Sequence, residues 1–354
     1  MKVLITGGCG FVGASLARQF ATSDTRTTVV AFDNLRRRGS ELNLRSFKDL
    51  GIQFVHGDIR NASDLQSCGT DFDLFIEASA EPSVHTGMDG DPDYVVQTNL
   101  LGTFNCLKYA QRHAAQFIFL STSRVYSIAA LREIALEEQS ERFVISPEQT
   151  LAGVSSRGIS EDFSTSRFRS FYGATKLGSE YLVQEFAAAY ELDAVIYRCG
   201  VIAGPGQFGR TDQGVFTLWV AHHYFGKPLE FTGFGGQGKQ VRDLLHPADL
   251  FQLIHKHSRL KDRKAGSVYN VGGGCSHSVS LAELSALCRR IVGRTVPIAS
   301  RPKTARVDIP VFICDYGRVT ADTGWRPSRD VETIVTDIFQ WIQENEADLR
   351  PIFA

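Results

Sequence analysis

In the stretch YGATK a phenol and an ammonium stand four residues apart, at Tyr172 and Lys176. On a helix that spacing puts both side chains on one face. A phenol with an ordinary pKa near ~10 is a weak base at neutral pH, and a neighbouring positive charge stabilises its anion. The pair is therefore a candidate proton shuttle, with Lys176 also placed to bond the ribose hydroxyls of a nicotinamide dinucleotide. Tyr and Lys at this spacing also occur on helix surfaces that do no chemistry, so the pair needs partners. Thr122, where the strand-like run QFIFLS ends, is one: its hydroxyl can hold a substrate hydroxyl.

A second partner opens the chain, in MKVLITGGCGFVGASLARQF. Lys2 to Thr6 alternates like a strand, Phe11 to Phe20 carries apolar residues at helical spacing, and glycines lie between them. In such a turn one glycine permits the bend, one lets the backbone approach a pyrophosphate and one allows the helix to pack close on the strand. Gly7, Gly10 and Gly13 have the spacing for those roles. The helix N-terminus beyond them offers free N–H groups and the positive end of its dipole to the phosphates. An ordinary strand-to-helix loop is the plainer reading, and the signals downstream argue against it.

The next strand-like run ends at Asp33, in VVAFDNL. A carboxylate there accepts bonds from the adenosine ribose hydroxyls and repels a 2′-phosphate, which favours NAD over NADP. Arg36 or Arg37, in the basic run Arg36 to Arg38, would reverse that choice by pairing with the phosphate. Asp33 also has the plainer role of a turn residue. Asp58, in HGDIRN, either receives the adenine amino group or caps a helix. Ser83 and His85, in EPSVHTG, follow the fourth strand-like run close to where a substrate would sit, and His85 is an acid–base candidate or a surface histidine.

The elements that must position these residues are legible as runs. TTVVAF, IQFVHG, DLFIEAS, QFIFLS, DAVIYRC and SVYNVGG read as strands separated by helical patterning. That alternation predicts an α/β fold, a doubly wound parallel sheet covered by helices on both faces. From GPGQFGRTDQG onward Gly and Pro rise and apolar runs shorten. Residues 1–200 are expected to form the dinucleotide domain and 201–354 mostly a smaller substrate lobe, with 240–272 a candidate to return to the sheet. The 354 residues, 43% hydrophobic, are enough for a large core. A net charge of −1 with scattered Lys and Arg argues against a nucleic-acid or membrane-surface partner. The seven cysteines lie far apart, with no C-x-x-C pair and no His cluster, which argues against a disulfide framework and a metal site. No apolar run is long enough to span a bilayer and no leader pattern follows Met1, so a cytoplasmic location is expected.

Together, TGGCGFVG, NLLGT, STSRVY and YGATK resemble the extended short-chain dehydrogenase/reductases, whose T-G-x-x-G-x-x-G, N-x-x-G-T and Y-x-x-x-K segments they match, and the likeness spans nearly the whole chain. The resemblance implies a Rossmann fold with a smaller C-terminal lobe, bound NAD, and a nucleotide-sugar epimerase or dehydratase. It implies Thr122, Tyr172 and Lys176 as the catalytic set. It implies Gly7, Gly10, Phe11, Val12, Gly13, Asp33, Asn34, Arg36, Asp58, Ile59, Ala78, Ser79, Ala80, Asn99, Tyr172 and Lys176 as the dinucleotide contacts. On the substrate side it implies Ser83, His85, Thr122, Ser123, Arg124, Gln207 and Arg242, with Asp212 nearby. Arg242, in KQVRDLLH, would pair its guanidinium with the sugar-nucleotide pyrophosphate, while Asp243 and His246 order that segment or form a structural pair.

In the 4,6-dehydratases of this family an Asp-Glu pair follows the catalytic Thr. Ser123 and Arg124 stand there in this chain, which disfavours elimination of water. DNLRRRGSELNL, GPGQFGRTDQG and GKQVRDLLHPADL are similar to stretches of the CDP-tyvelose (CDP-paratose) 2-epimerases, a branch of the family. The insertion between Tyr126 and Tyr172 is longer here, and Val201 stands where many members carry Asn. The expected activity is oxidation and re-reduction at one sugar carbon. A UDP-hexose 4-epimerase would share this apparatus, and a dinucleotide-binding module without turnover would be marked by loss of Tyr172 or Lys176. Family dimers pair through a helical bundle, so the stretches Leu100 to Ala114 and Tyr172 to Tyr190 imply a homodimer or homotetramer.

Overall fold

A computed structural model of the chain describes residues 1–88, 90–208 and 214–353. Seven strands form one sheet: β1 (Lys2–Thr6), β2 (Thr28–Asp33), β3 (Gln53–His56), β4 (Leu74–Glu77), β5 (Gln116–Thr122), β6 (Asp193–Cys199) and β7 (Ser267–Val271). All neighbours pair in parallel, in the spatial order β3-β2-β1-β4-β5-β6-β7. The order reverses between β1 and β4. At such a switch point the connections leave to opposite faces and a crevice opens beyond the carboxyl ends of the strands.

Successive side chains of a strand point to opposite faces, so a doubly covered sheet needs apolar residues at both parities. Val3 and Ile5 face one core, while Leu4, in register with Val30 and Phe75, faces the other. The first face is covered by helices α1 (Phe11–Ser23) and α4 (Pro247–His257), and the second by α2 (Thr103–His113) and α3 (Phe171–Tyr190). Between α3 and α4 the chain leaves for the smaller lobe, yet β7 returns to the sheet edge beside β6 and α4 packs on α1.

In the smaller lobe Val241–Leu245 pairs with Val201–Ile202, Ser278–Ser280 and Val311–Phe312, and the helices Val215–Phe225, Leu281–Val292 and Val331–Glu344 share one core. The insertion after Tyr126 contains two short hairpins, Leu136–Glu138 with Phe143–Ile145 and Val154–Ser155 with Gly158–Ile159. Its Ile128, Leu131, Ile145, Ile159 and Phe163 pack against Val307, Ile309 and Phe312. The insertion thus fastens the lobe over the end of β5. No helix among the described residues is long and apolar enough to cross a membrane.

Candidate active site

The glycine turn is fixed by contacts that exclude side chains. Gly7 adopts φ +64°, and a Cβ there would lie 2.7 Å from the Ala78 carbonyl oxygen. A Cβ at Gly13 would lie 2.1 Å from the Gly7 oxygen, so α1 presses directly on the turn. Gly10 caps α1 and its N–H donates to the Gly7 oxygen at 3.0 Å. Phe11 and Val12 open the first turn of that helix. Gly7, Gly10 and the segment Ala78, Ser79, Ala80 then line one crevice with Asp33, Asn34, Arg36, Asp58, Ile59 and Ser83. A trench floored by backbone, with a helix N-terminus at its side, fits a pyrophosphate, and these residues fit NAD.

Asp33 serves this turn first. Its carboxylate accepts the Cys9 N–H at 3.0 Å and the Leu35 N–H at 2.8 Å, and burial raises its pKa against those bonds. The Leu35 bond also holds that residue at φ 53°, a left-handed conformation that costs roughly 1–2 kcal/mol outside glycine. Asp58 accepts two bonds from the Arg60 guanidinium, at 3.0 and 2.7 Å, and one from Asn34 Nδ2 at 2.9 Å. Burial pushes the Asp58 carboxyl up, but the Arg60 and Asn34 bonds outweigh it and bring the pKa down to about 2. Arg36 and Arg60 lie 3.9 and 4.8 Å from the centroid of the Tyr94 ring, and Arg36 and Tyr94 line the crevice together with Asn34 and Asp58.

Tyr172 and Thr122 come together for a local steric reason, while Lys176 turns to another set of neighbours. Ser170 caps α3 by accepting the Gly173 N–H, and a Cβ at Gly173 would lie 2.1 Å from the Arg124 carbonyl oxygen. Glycine here lets the first turn of α3 dock on the turn after β5, where the Thr122 hydroxyl accepts the Arg124 N–H at 3.2 Å. Burial pushes the Tyr172 phenol up to about 12, while a hydrogen bond with Thr122 and the Arg124 charge pull it down. Lys176 is 1% exposed, and its Nζ lies 3.9 Å over the Phe119 ring. Burial lowers its pKa, opposed by Glu77 and Glu180. Arg124, rather than Lys176, is thus the leading cation acting on the phenol in this arrangement.

On the substrate side Arg242 donates to the carbonyls of Val241 at 2.7 Å and Ile309 at 2.8 Å, and Arg124 to that of Val307 at 3.3 Å. Among the described residues neither forms an ion pair. Burial and the Arg124 charge bring Arg242 down to about 9. Two neighbouring guanidinia held by carbonyls have the chemistry to hold an anion, with Asp308 the carboxylate that already acts on both. Ser123 is buried in the turn between Thr122 and Arg124.

Other expected contacts take different places. Asn99 is fully buried and clamps the backbone of Glu81, accepting its N–H at 2.8 Å and donating to its carbonyl at 3.0 Å. It shapes the crevice from behind rather than lining it. Gln207 donates to the Ile202 carbonyl at 3.1 Å and accepts from Thr217 at 2.8 Å, which holds its own loop. His85 is exposed and outside the crevice lining, whereas Ser83 lines it and its hydroxyl accepts the His85 N–H at 3.3 Å. Asp243 accepts the Gly274 N–H at 3.0 Å and His246 caps α4, so both organise the segment that carries Arg242. Asp212 lies outside the described residues.

Tyr94, Glu81 and Glu77 were not evident from sequence. Glu81 lines the crevice and accepts from the Ser83 N–H at 3.2 Å. Glu77 ends β4, fully buried. A charged residue inside the apolar run DLFIEAS was the available signal for it.

Residues 3–272 match the model of the NAD dependent epimerase/dehydratase family. The CDP-paratose 2-epimerase of Salmonella typhi is 30% identical over 353 residues, covering 96% of this chain and 99% of that protein. The dTDP-glucose 4,6-dehydratase of Salmonella typhimurium is 26% identical, covering 98% of this chain and 93% of that protein. Among solved structures, UDP-glucuronic acid 4-epimerase from Bacillus cereus, in complex with UDP-glucuronic acid and NAD, superposes with a TM-score of 0.77 at 23% identity, covering 97% of this chain and 99% of that one. With the glycine crevice, the parallel sheet and the match over most of its length, the chain belongs to the NAD dependent epimerase/dehydratase family.

Proposed function

We propose that the protein is an NAD-dependent nucleotide-sugar epimerase that inverts one sugar carbon, with CDP-paratose and CDP-tyvelose as the leading substrate pair. The observation that carries the reading is the packing of Tyr172 against the Thr122–Arg124 turn at the end of β5, with no carboxylate at positions 123 and 124. The resemblance to the Salmonella typhi CDP-paratose 2-epimerase over almost the whole chain supports the choice of sugar.

When bound, NAD supplies a reversible hydride acceptor, so that a sugar alcohol is oxidised to a ketone and re-reduced on its other face. Tyr172 takes the hydroxyl proton at its phenol oxygen and later returns it, while Thr122 orients that hydroxyl. Arg124 stands beside the phenol, and its charge favours the phenolate that accepts the proton, against burial, which opposes that charge. Lys176 would hold the ribose hydroxyls of the cofactor. Arg242 holds the diphosphate with a guanidinium aimed by the carbonyls of Val241 and Ile309, which lets the sugar turn while its nucleotide stays anchored. Insertion and lobe pack together over this end of the sheet and limit water at the ketone stage.

The exposed Leu101 (51%), Tyr181 (56%) and Tyr190 (55%) on α3 and the segment leading into α2 support a homodimer built on those helices, which light scattering checks. The function is tested by a screen of CDP-, UDP-, GDP- and dTDP-sugars for protection against thermal unfolding, followed by product analysis, because a ligand that binds only the native state raises its stability. CDP-paratose or CDP-tyvelose is expected to protect and to be inverted at carbon 2. Inversion of a UDP-hexose at carbon 4 alone would replace the substrate assignment, and protection with no turnover by any sugar would favour a binding module.

A further inference from the structure

The register of three adjacent strands sets Thr6, Glu77 and Phe119 side by side on one face of the sheet. Lys176 reaches down from α3 onto that row, its Nζ 3.9 Å from the Phe119 ring centroid. Glu77 is 0% and Lys176 1% exposed. A buried carboxylate and a buried ammonium are each costly unless compensated.

The compensation is incomplete on both sides. Glu77 Oε2 accepts from Thr103 Oγ1 at 3.3 Å, but Oε1 has no partner among the described residues, and the adjacent Thr6 hydroxyl faces the Cys106 thiol. The Lys176 ammonium donates no hydrogen bond among the described residues, although Phe119 gives it a ring face. Glu180, one turn along α3, is the other carboxylate acting on Lys176. It is already engaged, accepting from Arg198 at 3.1, 3.1 and 2.7 Å and from Ser121 at 2.5 Å. The remaining titratable neighbours of Lys176 are the buried thiols Cys199 on β6 and Cys106 on α2, whose pKa values burial raises, so both stay neutral at physiological pH. Glu77 faces Lys176 and Cys106. It is therefore the carboxylate with free bonding capacity on the lysine's side of the sheet, although among the described residues the two do not form a direct ion pair.

We infer that Glu77 is a positioning residue, whose carboxylate keeps the Lys176 ammonium charged in a buried setting and so available to the ribose of the bound dinucleotide. The inference rests on the proposed role of Lys176 in holding that ribose. Burial pushes the Glu77 carboxyl up to about 7, with Lys176 and the Thr103 bond opposing the rise. The carboxylate thus gains charge as pH rises through the neutral range, where burial works to neutralise the lysine. Removing the carboxylate lowers the lysine pKa further, so the ammonium is lost at a lower pH than in the unmodified protein.

The test is the affinity of the full-length protein, freed of nucleotide, for NAD at two pH values, by titration calorimetry. Glu77→Gln is expected to bind NAD about tenfold more weakly than the unmodified protein near pH 8.5 and within about twofold of it near pH 6.5, the tenfold ratio corresponding to one unit of pKa. Lys176→Met is expected to weaken binding at both pH values. Thr103→Val, which keeps Glu77 but removes its hydrogen bond, is expected to shift the pH dependence in the same direction by less, and it serves if Glu77→Gln does not fold. A Glu77→Gln loss equal at both pH values, or none at all, overturns the inference and leaves Glu77 a structural residue. An unchanged affinity in Lys176→Met overturns the reading of the lysine itself.

Discussion

The dinucleotide crevice and the proposed sugar site are built by different means. The dinucleotide crevice has a floor of backbone: Gly7, Gly10 and Ala78 to Ala80 present little beyond N–H and C=O groups, Asp33 ties the glycine turn and Asn99 the Glu81 backbone, and the side chains of Asn34, Arg36, Asp58 and Tyr94 add to the lining. At the proposed sugar site the candidate groups are long side chains, Arg124, Tyr172 and Arg242, from the end of β5, the start of α3 and the smaller lobe. A backbone site depends on steric spacing along one short segment. A side-chain site depends on the packing of distant segments. The contrast predicts that substitutions at the sugar end change turnover or substrate affinity and spare NAD, while those at the dinucleotide end change which nucleotide is held.

The largest effect belongs to the phenol. Tyr172→Phe removes one oxygen and leaves the ring packed, so kcat is expected to fall by about 10²–10⁴ with NAD affinity unchanged, as measured by steady-state rates and by NAD titration. A loss of NAD binding of similar size would erase the distinction between the two ends.

Arg242→Gln is next. Removing a guanidinium that bonds a diphosphate is expected to weaken substrate binding by about 10–100-fold, equivalent to a charged hydrogen bond of roughly 1.5–3 kcal/mol, with a smaller change in kcat. Titration of the variant with a bare nucleoside diphosphate and with the complete nucleotide sugar sharpens the point, because both should lose affinity alike. A loss confined to the sugar would move Arg242 from the diphosphate to the hexose.

The sequence carried the dinucleotide end well because its signals are local. Gly7, Gly10 and Gly13 are spaced by the steric demands of one turn, and Tyr172 and Lys176 by one turn of a helix. Thr122 was visible as the polar end of an apolar strand, and SVYNVGG as a strand, although its place at the sheet edge beside β6 is a tertiary fact. Three features were hidden. The N-x-x-G-T match suggested that Asn99 touches the cofactor, but its amide reaches Glu81, a pairing set by how the segment before α2 packs behind β4. Spacing put Tyr172 under the influence of Lys176, yet the ammonium lies over the Phe119 ring, which strand register sets beside Glu77. Two polar residues near a site pattern have settings that sequence did not show: Gln207 bonds within its own loop and His85 is exposed. Residue type marks the capacity to bond, while packing decides the partner.

The smallest effect expected is at Asp33, whose carboxylate both faces the crevice and ties the glycine turn through Cys9. The unmodified protein is expected to prefer NAD to NADP, and Asp33→Ala to narrow that preference by several-fold, on the order of a single charge contact near solvent. Titration of both variants with both nucleotides measures it. Equal or tighter binding of NADP by the unmodified protein would assign the crevice to the phosphorylated cofactor, with Arg36 as its partner.

The central claim is that the sugar passes through a ketone and recovers its own hydrogen, which requires the sugar end to move a proton on oxygen while the dinucleotide end stores the hydride. The direct measurement is conversion of a nucleotide sugar carrying deuterium at the inverted carbon, in ordinary water, alongside unlabelled substrate in heavy water, with both products read by mass spectrometry and NMR. Transient oxidation at that carbon predicts that the first product keeps its deuterium and the second gains none on carbon. Solvent deuterium at the inverted carbon would contradict the account, since it would mean that a carbon-bound proton is exchanged and that Tyr172 is not serving an alcohol–ketone cycle.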